Sequence, residues 1–206
     1  MVAPLVALIG IVIGFGQAGP SPRVKNPGLA AILQKMVKED QALRMKIAES
    51  MRAGKPLTIE LVRGMQSADA ENTGRLRQIV RTYGWPTFDL VGTKAGNDAW
   101  LLVQHADHDP KFQRECLNLM EPLVGKGQVG RQNFAYLTDR VLLAEGKKQI
   151  YGTQFTQLKD GSWEPRPLED PDNVDKRRSE MGMPTMAEYR KLLEEMYGRK
   201  PPPASN

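Results

Sequence analysis

Apolar residues in this chain return every three or four positions rather than every two, and that spacing confines it to a helical fold. Ile32, Leu33, Met36, Leu43 and Ile47 recur in this way among Lys, Glu and Gln over residues 29–52, the mark of a helix with one apolar side. Leu76, Ile79 and Val80 do the same over residues 69–83, and Phe134, Leu137, Val141 and Leu142 over residues 132–145. Such helices need a surface to cover their stripes. A length of 206 residues is enough to bury a core without disulfides or metal staples, so one main domain is expected. Aromatic residues make up only 6%, and the 15 prolines fall mostly between helical stretches or near the C-terminus.

Local punctuation divides the rest. Gly54 and Pro56 end the first helix; residues 58–65 read as a short helix, and Gly84 closes the one over 69–83. Pro86 forces Trp85 out of the helical region, and the chain is expected to run as a loop to Gly96. Asn97 or Asp98 can cap a buried helix through Ala106, and Asp109-Pro110 supplies the cap and first turn of a helix to about Val124. After a glycine-containing loop over 125–130 and the helix over 132–145, the period changes to two. Gln149, Tyr151, Thr153 and Phe155 alternate with Ile150, Gly152, Gln154 and Thr156, and Asp160-Gly161 offers a turn before residues 162–168, a β-hairpin pattern. An acidic loop and two helices, over 174–181 and 185–197, close the chain. The expected fold is mainly α, a single helical domain over residues 29–198 with a small β-hairpin after the central helices.

The two ends stand apart. Residues 2–15 form an uncharged apolar run followed by Gly16-Gln17-Ala18, a small-x-small pattern suited to signal peptidase. Residues 1–18 therefore read as a signal peptide, giving a secreted or periplasmic address. The competing reading is a membrane anchor, although the run is shorter than the roughly 20 residues that span a bilayer, so no stable membrane insertion is expected after signal removal. Residues 19–28 form a linker and residues 199–206 a disordered tail.

Composition removes several classes. The net charge is +5, but Lys and Arg alternate with Asp and Glu; even Lys176-Arg177-Arg178 lies between Asp172, Asp175 and Glu180. With no recognition motif or aromatic platform, nucleic acid is not an expected partner. Cys116, the one cysteine, sits near Leu117, Leu119 and Met120 and reads as a small buried hydrophobe. The Gly125–Gly130 glycine pattern follows a helix rather than a strand, so it lacks the context of a dinucleotide site. No P-loop or serine nucleophile elbow is present, and no cofactor is implied.

Three clusters carry candidate chemistry. In residues 100–113 an apolar run ends in Gln104-His105-Ala106-Asp107, with His108, Asp109 and Gln113 close behind. An imidazole exchanges protons near neutral pH, and a nearby carboxylate would fix its tautomer; the competing reading is a hydrogen-bonded histidine at a helix end. His105 and His108 at i,i+3 are not a strong metal signature, and no metal site is expected. Asp139-Arg140 lies at a core margin, where the arginine could grip an anion or close an internal salt bridge. In residues 149–154, Gln149, Tyr151, Thr153 and Gln154 crowd around Gly152, suited either to lining a pocket or to an exposed hairpin.

Together, Tyr83-Gly84-Trp85-Pro86, the 100–113 segment, Tyr136-Leu137-Thr138-Asp139-Arg140 and residues 149–154 resemble an uncharacterised bacterial family, one of the domains of unknown function, over roughly residues 69–197. The resemblance implies no activity. It does imply that Gln104, His105, Asp107, Gln113, Asp139, Arg140, Gln149, Tyr151 and Gln154 occupy motif positions, with His108 a variable one. The leading expectation is an acid/base enzyme, a hydrolase or lyase, acting on a small polar or anionic ligand. In it His105 transfers the proton, Asp107 or Asp139 orients it, and Arg140 with Gln104, Gln113, Gln149, Tyr151, Thr153 and Gln154 binds the substrate. The alternatives are a non-catalytic binding module for a peptide, glycan or envelope component, and a structural polar network without activity.

Overall fold

The computed structural model describes residues 24–158 and 162–197. The signal-peptide segment, the Asp160-Gly161 turn and the C-terminal tail lie outside the described residues. Among the described residues the chain forms seven α-helices and one two-stranded antiparallel hairpin placed after the central helices, a mainly α fold. No helix among them is long and apolar enough to cross a membrane. The chain divides into two compact units, one ending at Leu119 and the other starting at Met120.

The first unit is built on α1 (Pro27–Arg52), α2 (Ile59–Tyr83) and α3 (Phe88–Gln104), each packed on the other two. The Asn26 side chain accepts from the Leu29 N–H at 3.0 Å and Pro27 opens the first turn, which satisfies a free amide and pre-sets the backbone of α1. The buried stripe of α1 runs Leu33, Met36, Val37, Asp40, Arg44. Its phase differs slightly from the expected one: Ile32 is exposed, and Leu43 and Ile47 are only half-buried.

The two helices expected over 58–65 and 69–83 are one. Residues 66–70 contain neither Gly nor Pro, and Met65, Asn72, Thr73 and Leu76 keep a single buried face through the join. The loop expected as far as Gly96 is helical from Phe88. Thr87 caps that start by accepting from the Leu90 N–H at 3.3 Å, and the bend is taken up at Gly92, with φ of 80°. At Gly96 an added Cβ would lie 2.8 Å from Cδ1 of Phe88, so glycine lets this turn seat directly on the ring. Helix α4 (Pro110–Val124) starts as its sequence predicts, with Asp109 accepting from the Phe112 N–H at 3.0 Å. Arg77 of α2 holds the same carboxylate at 2.5 Å and stacks 4.6 Å above the Phe112 ring.

The second unit contains α5 (Arg131–Ala144), β1 (Phe155–Gln157), β2 (Trp163–Pro165), a 3₁₀ turn at Pro171–Asn173, α6 (Val174–Glu180) and α7 (Met186–Tyr197). The strands pair with Phe155 opposite Pro165, Thr156 opposite Glu164 and Gln157 opposite Trp163. They are shorter than the alternating pattern predicts. Apart from a single bridge between Gln149 and Leu168, residues 149–154 form no strand, because their amides turn inward onto the Asp139 carboxylate. Tyr189 of α7 anchors the hairpin, meeting the Phe155 ring edge-on at 5.5 Å and the Tyr136 ring at 6.2 Å.

Candidate functional site

Two helices of the first unit carry charges in phase with their buried stripes. On α1, Asp40 stands four residues after Met36 and Arg44 four after Asp40; on α2, Asp69 stands four after Met65. Residues four apart share a helix face, so all three charges point inward. His105 joins them from the C-terminal end of α3, where its N–H closes the last turn on Leu101 and Leu102.

The four side chains form one connected cluster. His105 Nδ1 lies 3.1 Å from Asp40 Oδ1 and 3.0 Å from Oδ2. Arg44 Nε donates to the same two oxygens at 3.2 and 3.3 Å, its Nη2 donates to Asp69 Oδ1 at 2.5 Å, and Nη1 meets Met65 Sδ at 3.7 Å. Gln41 Nε2 adds a bond to Asp40 Oδ2 at 2.8 Å. Side-chain exposure is 2% for Asp40, 7% for Arg44, 8% for His105 and 14% for Asp69, so these interactions are shielded from water and salt.

Burial sets the two carboxylates apart. For Asp40, burial alone would raise the carboxyl, but the hydrogen bond and charge of His105, the charge of Arg44 and the Gln41 amide together hold it below its ordinary value. For Asp69, burial wins: with the Asp40 charge adding to it, the carboxyl is pushed above its ordinary value despite Arg44 and His105. Since ionised Asp40 can only accept, Nδ1 carries the imidazole proton and Nε2 keeps a lone pair when the ring is neutral. That Nε2 is buried and has no hydrogen-bond partner. A buried polar atom without a partner is uncommon in a folded protein.

One N or O atom from each of Asp40, Asp69 and His105 lies within 4.8 Å of the others, a spacing that could hold a metal ion. The guanidinium of Arg44 already bonds to both carboxylates and supplies the positive charge a cation would bring. Both carboxylates are therefore paired with a cation of the chain itself.

The remaining candidate residues are placed as follows. Asp40, rather than Asp107 or Asp139, orients His105. Asp107 is exposed and accepts from Gln113 Nε2 at 3.2 Å, while the same amide donates to the Val103 carbonyl at 3.0 Å and so pins the end of α3 to α4. Gln104 is buried in the last turn of α3. In the second unit, Asp139 is fully buried and accepts three backbone N–H groups, from Ile150 at 2.7 Å, Tyr151 at 2.9 Å and Thr153 at 2.8 Å. Burial raises its carboxyl and those three donors oppose the rise. Gln149 donates to the carbonyls of Gln154 and Arg166 at 3.0 and 2.8 Å and accepts from the Gln154 N–H at 2.9 Å. Gln154 Nε2 donates to Thr153 Oγ1 at 3.1 Å. Gln149 and Thr153 are fully buried, and their side chains bond within the 149–154 loop and to the Arg166 carbonyl. Arg140 and Tyr151 are half-buried.

Arg178, which the sequence groups with Lys176 and Arg177 in a basic cluster expected to be a solvated helical face, is instead fully buried. It donates to the carbonyls of Tyr151, Gly152 and Pro184 and stacks 4.9 Å from the Tyr189 ring, binding the 149–154 loop to α6 and α7. Asp40, Arg44 and Asp69 were absent from the sequence candidates. Their signal was the recurrence of charge at the phase of Leu33, Met36 and Met65, where an amphipathic helix should carry apolar residues.

Residues 27–201 match the model of a family described as "Family of unknown function (DUF6624)", and the chain belongs to that family. No curated protein and no solved structure matches the chain.

Proposed function

We propose that this member of DUF6624 is an acid/base enzyme, a hydrolase or lyase, in which His105 transfers the proton and Asp40 orients it. The observation that carries the reading is the asymmetry of the imidazole: Nδ1 is fixed by a buried carboxylate while Nε2 is buried without a partner. A fixed tautomer with a free lone pair is what a general base requires. Arg44, the cation within the cluster, is committed to Asp40 and Asp69, which favours a small neutral polar substrate over an anionic one.

The test is turnover by the purified protein against a panel of esters, amides, glycosides and β-eliminable substrates, repeated with His105→Gln and Asp40→Asn. A substrate turned over by the native protein should lose about 10²–10⁴-fold in rate in His105→Gln. Turnover unaffected by that change would refute the reading. Thermal melting of His105→Gln beside the native protein checks that a loss of rate comes from a folded variant.

A second reading applies to the second unit. Asp139, Gln149, Thr153 and Gln154 direct their side-chain bonds mainly at backbone, which supports a structural clamp on the 149–154 loop rather than a ligand site. We also propose an envelope address for the chain, supported by residues 2–18 alone. Terminal sequencing of protein recovered from the periplasm of an expressing bacterium should begin at Gly19; an intact Met1 in the cytoplasmic fraction would overturn this.

A further inference from the structure

We infer that Asp69 is the acid that works opposite His105, and that Asp40, Arg44, Asp69 and His105 together hold one exchangeable proton, resident on Asp69 while His105 waits as base. The inference rests on the acid/base reading of His105 and extends it to a second residue and to a class of substrate.

Charge counting leads to it. Two ionised carboxylates, one guanidinium and a neutral imidazole would leave a net negative charge among four side chains, each at least 86% buried. Uncompensated charge at such burial is costly, and a single proton removes it; on His105 that proton would sit at Nε2 as a buried donor with no acceptor, which leaves the two carboxylates as hosts. Asp40 is a poor host for that proton, because its oxygens already accept from His105 Nδ1, Arg44 Nε and Gln41 Nε2. Asp69 is a good one. Its Oδ1 accepts from Arg44, its Oδ2 accepts no hydrogen bond among the described residues, and it is the most exposed of the four. Burial also favours its neutral form. The unpartnered, nine-tenths-buried Nε2 of His105 is an independent sign that this cluster meets a ligand.

Asp40 from α1 and Asp69 from α2 are carboxylates whose charges interact with His105, and Arg44 from α1 binds both of them. On α3 itself, Lys94 and Asp98 pair with each other. During turnover the Nε2 lone pair takes a proton from the attacking water, or from a carbon acid in an elimination, and Asp69 Oδ2–H gives its proton to the departing oxygen or nitrogen. His105 ends as imidazolium and Asp69 as carboxylate beside Arg44, so the charge of the four is unchanged. Return of the proton from His105 to Asp69 resets the site. An acid placed this way is useful only when the leaving group must be protonated, so the substrate class is one with an alkoxide or amine leaving group.

The test is nuclear magnetic resonance titration of the full chain with labelled Asp carboxyl carbon and His ring nitrogen. Asp69 should titrate above the ordinary carboxylate range and move higher still in His105→Gln, and its signal should be missing in Asp69→Asn, which assigns it. Such coupling is the mark of sites sharing a proton, and a merely structural Asp69 would not produce it. An Asp69 signal in the ordinary range, or indifferent to His105→Gln, overturns the inference. Should Asp69→Asn fail to fold, the native and His105→Gln titrations still decide. Loss of turnover in His105→Gln without coupling would sink Asp69 as the acid and leave His105 as the base. Coupling with turnover indifferent to His105→Gln would sink both.

Discussion

Asp40 and Asp69 sit on one guanidinium yet bear on stability with opposite signs. The Asp40 carboxyl is held below its ordinary value, so its contribution is present above the unfolded-chain value of about 3.9 and is lost as pH falls through the folded one. Denaturant unfolding of Asp40→Asn should therefore show a shallower loss of stability on the acid side than the native protein. Asp69 is raised: its contribution is greatest below about 3.9 and declines as pH rises through the folded value. Asp69→Asn should flatten that decline. At Cys116, burial pushes the thiol far above its ordinary value, so a thiol reagent should label the native protein only at its rate of opening and react freely after denaturation; rapid native labelling would contradict the buried placement. Single residues were only half legible. His105 stood out as an imidazole after an apolar run, whereas Asp40 and Asp69 look like ordinary surface charges until their helical phase is compared with Leu33, Met36 and Met65.

At the scale of elements, the 149–154 loop shows how side chains can override a strand pattern. Asp139 collects three of its amides, Arg178 collects two of its carbonyls, and Gly152 turns the chain at φ of 65°. Asp139→Ala strands three backbone donors, the Thr153 N–H buried and those of Ile150 and Tyr151 partly so, and should cost about 3 kcal/mol in denaturant unfolding. Hydrogen exchange at Ile150, Tyr151 and Thr153 should rise with it; unchanged exchange there would count against the clamp. Gly152→Ala combines a left-handed backbone with a Cβ placed 2.5 Å from Met186 Sδ, and should cost about 1–3 kcal/mol. Alternation in residues 149–156 could not reveal this, because the partners lie on α5 and α6, distant in sequence. The helices were read well where caps are local, as at Asp109 and Gly84. The start of α3 was missed because the extended turn signalled by Trp85-Pro86 was carried on to Gly96, past the Thr87 cap.

For the molecule as a whole, the mainly α fold followed from the 3.6-residue periodicity, but its division into two compact units did not. Periodicity reports which face of a helix is buried, not which other helix covers it. The division gives the two polar clusters separate homes: the His105 cluster belongs to the first unit and the Asp139 clamp to the second. Arg44 carries a further consequence. A guanidinium keeps its charge at any pH a cell experiences, and it is built into the chain rather than acquired. Under the proposed acid/base reading, the two carboxylates are balanced in part by a charge the chain itself supplies. Dialysis against a strong chelator should therefore leave both melting temperature and turnover where they were, and a fall in either would reveal a cation held between Asp40, Asp69 and His105.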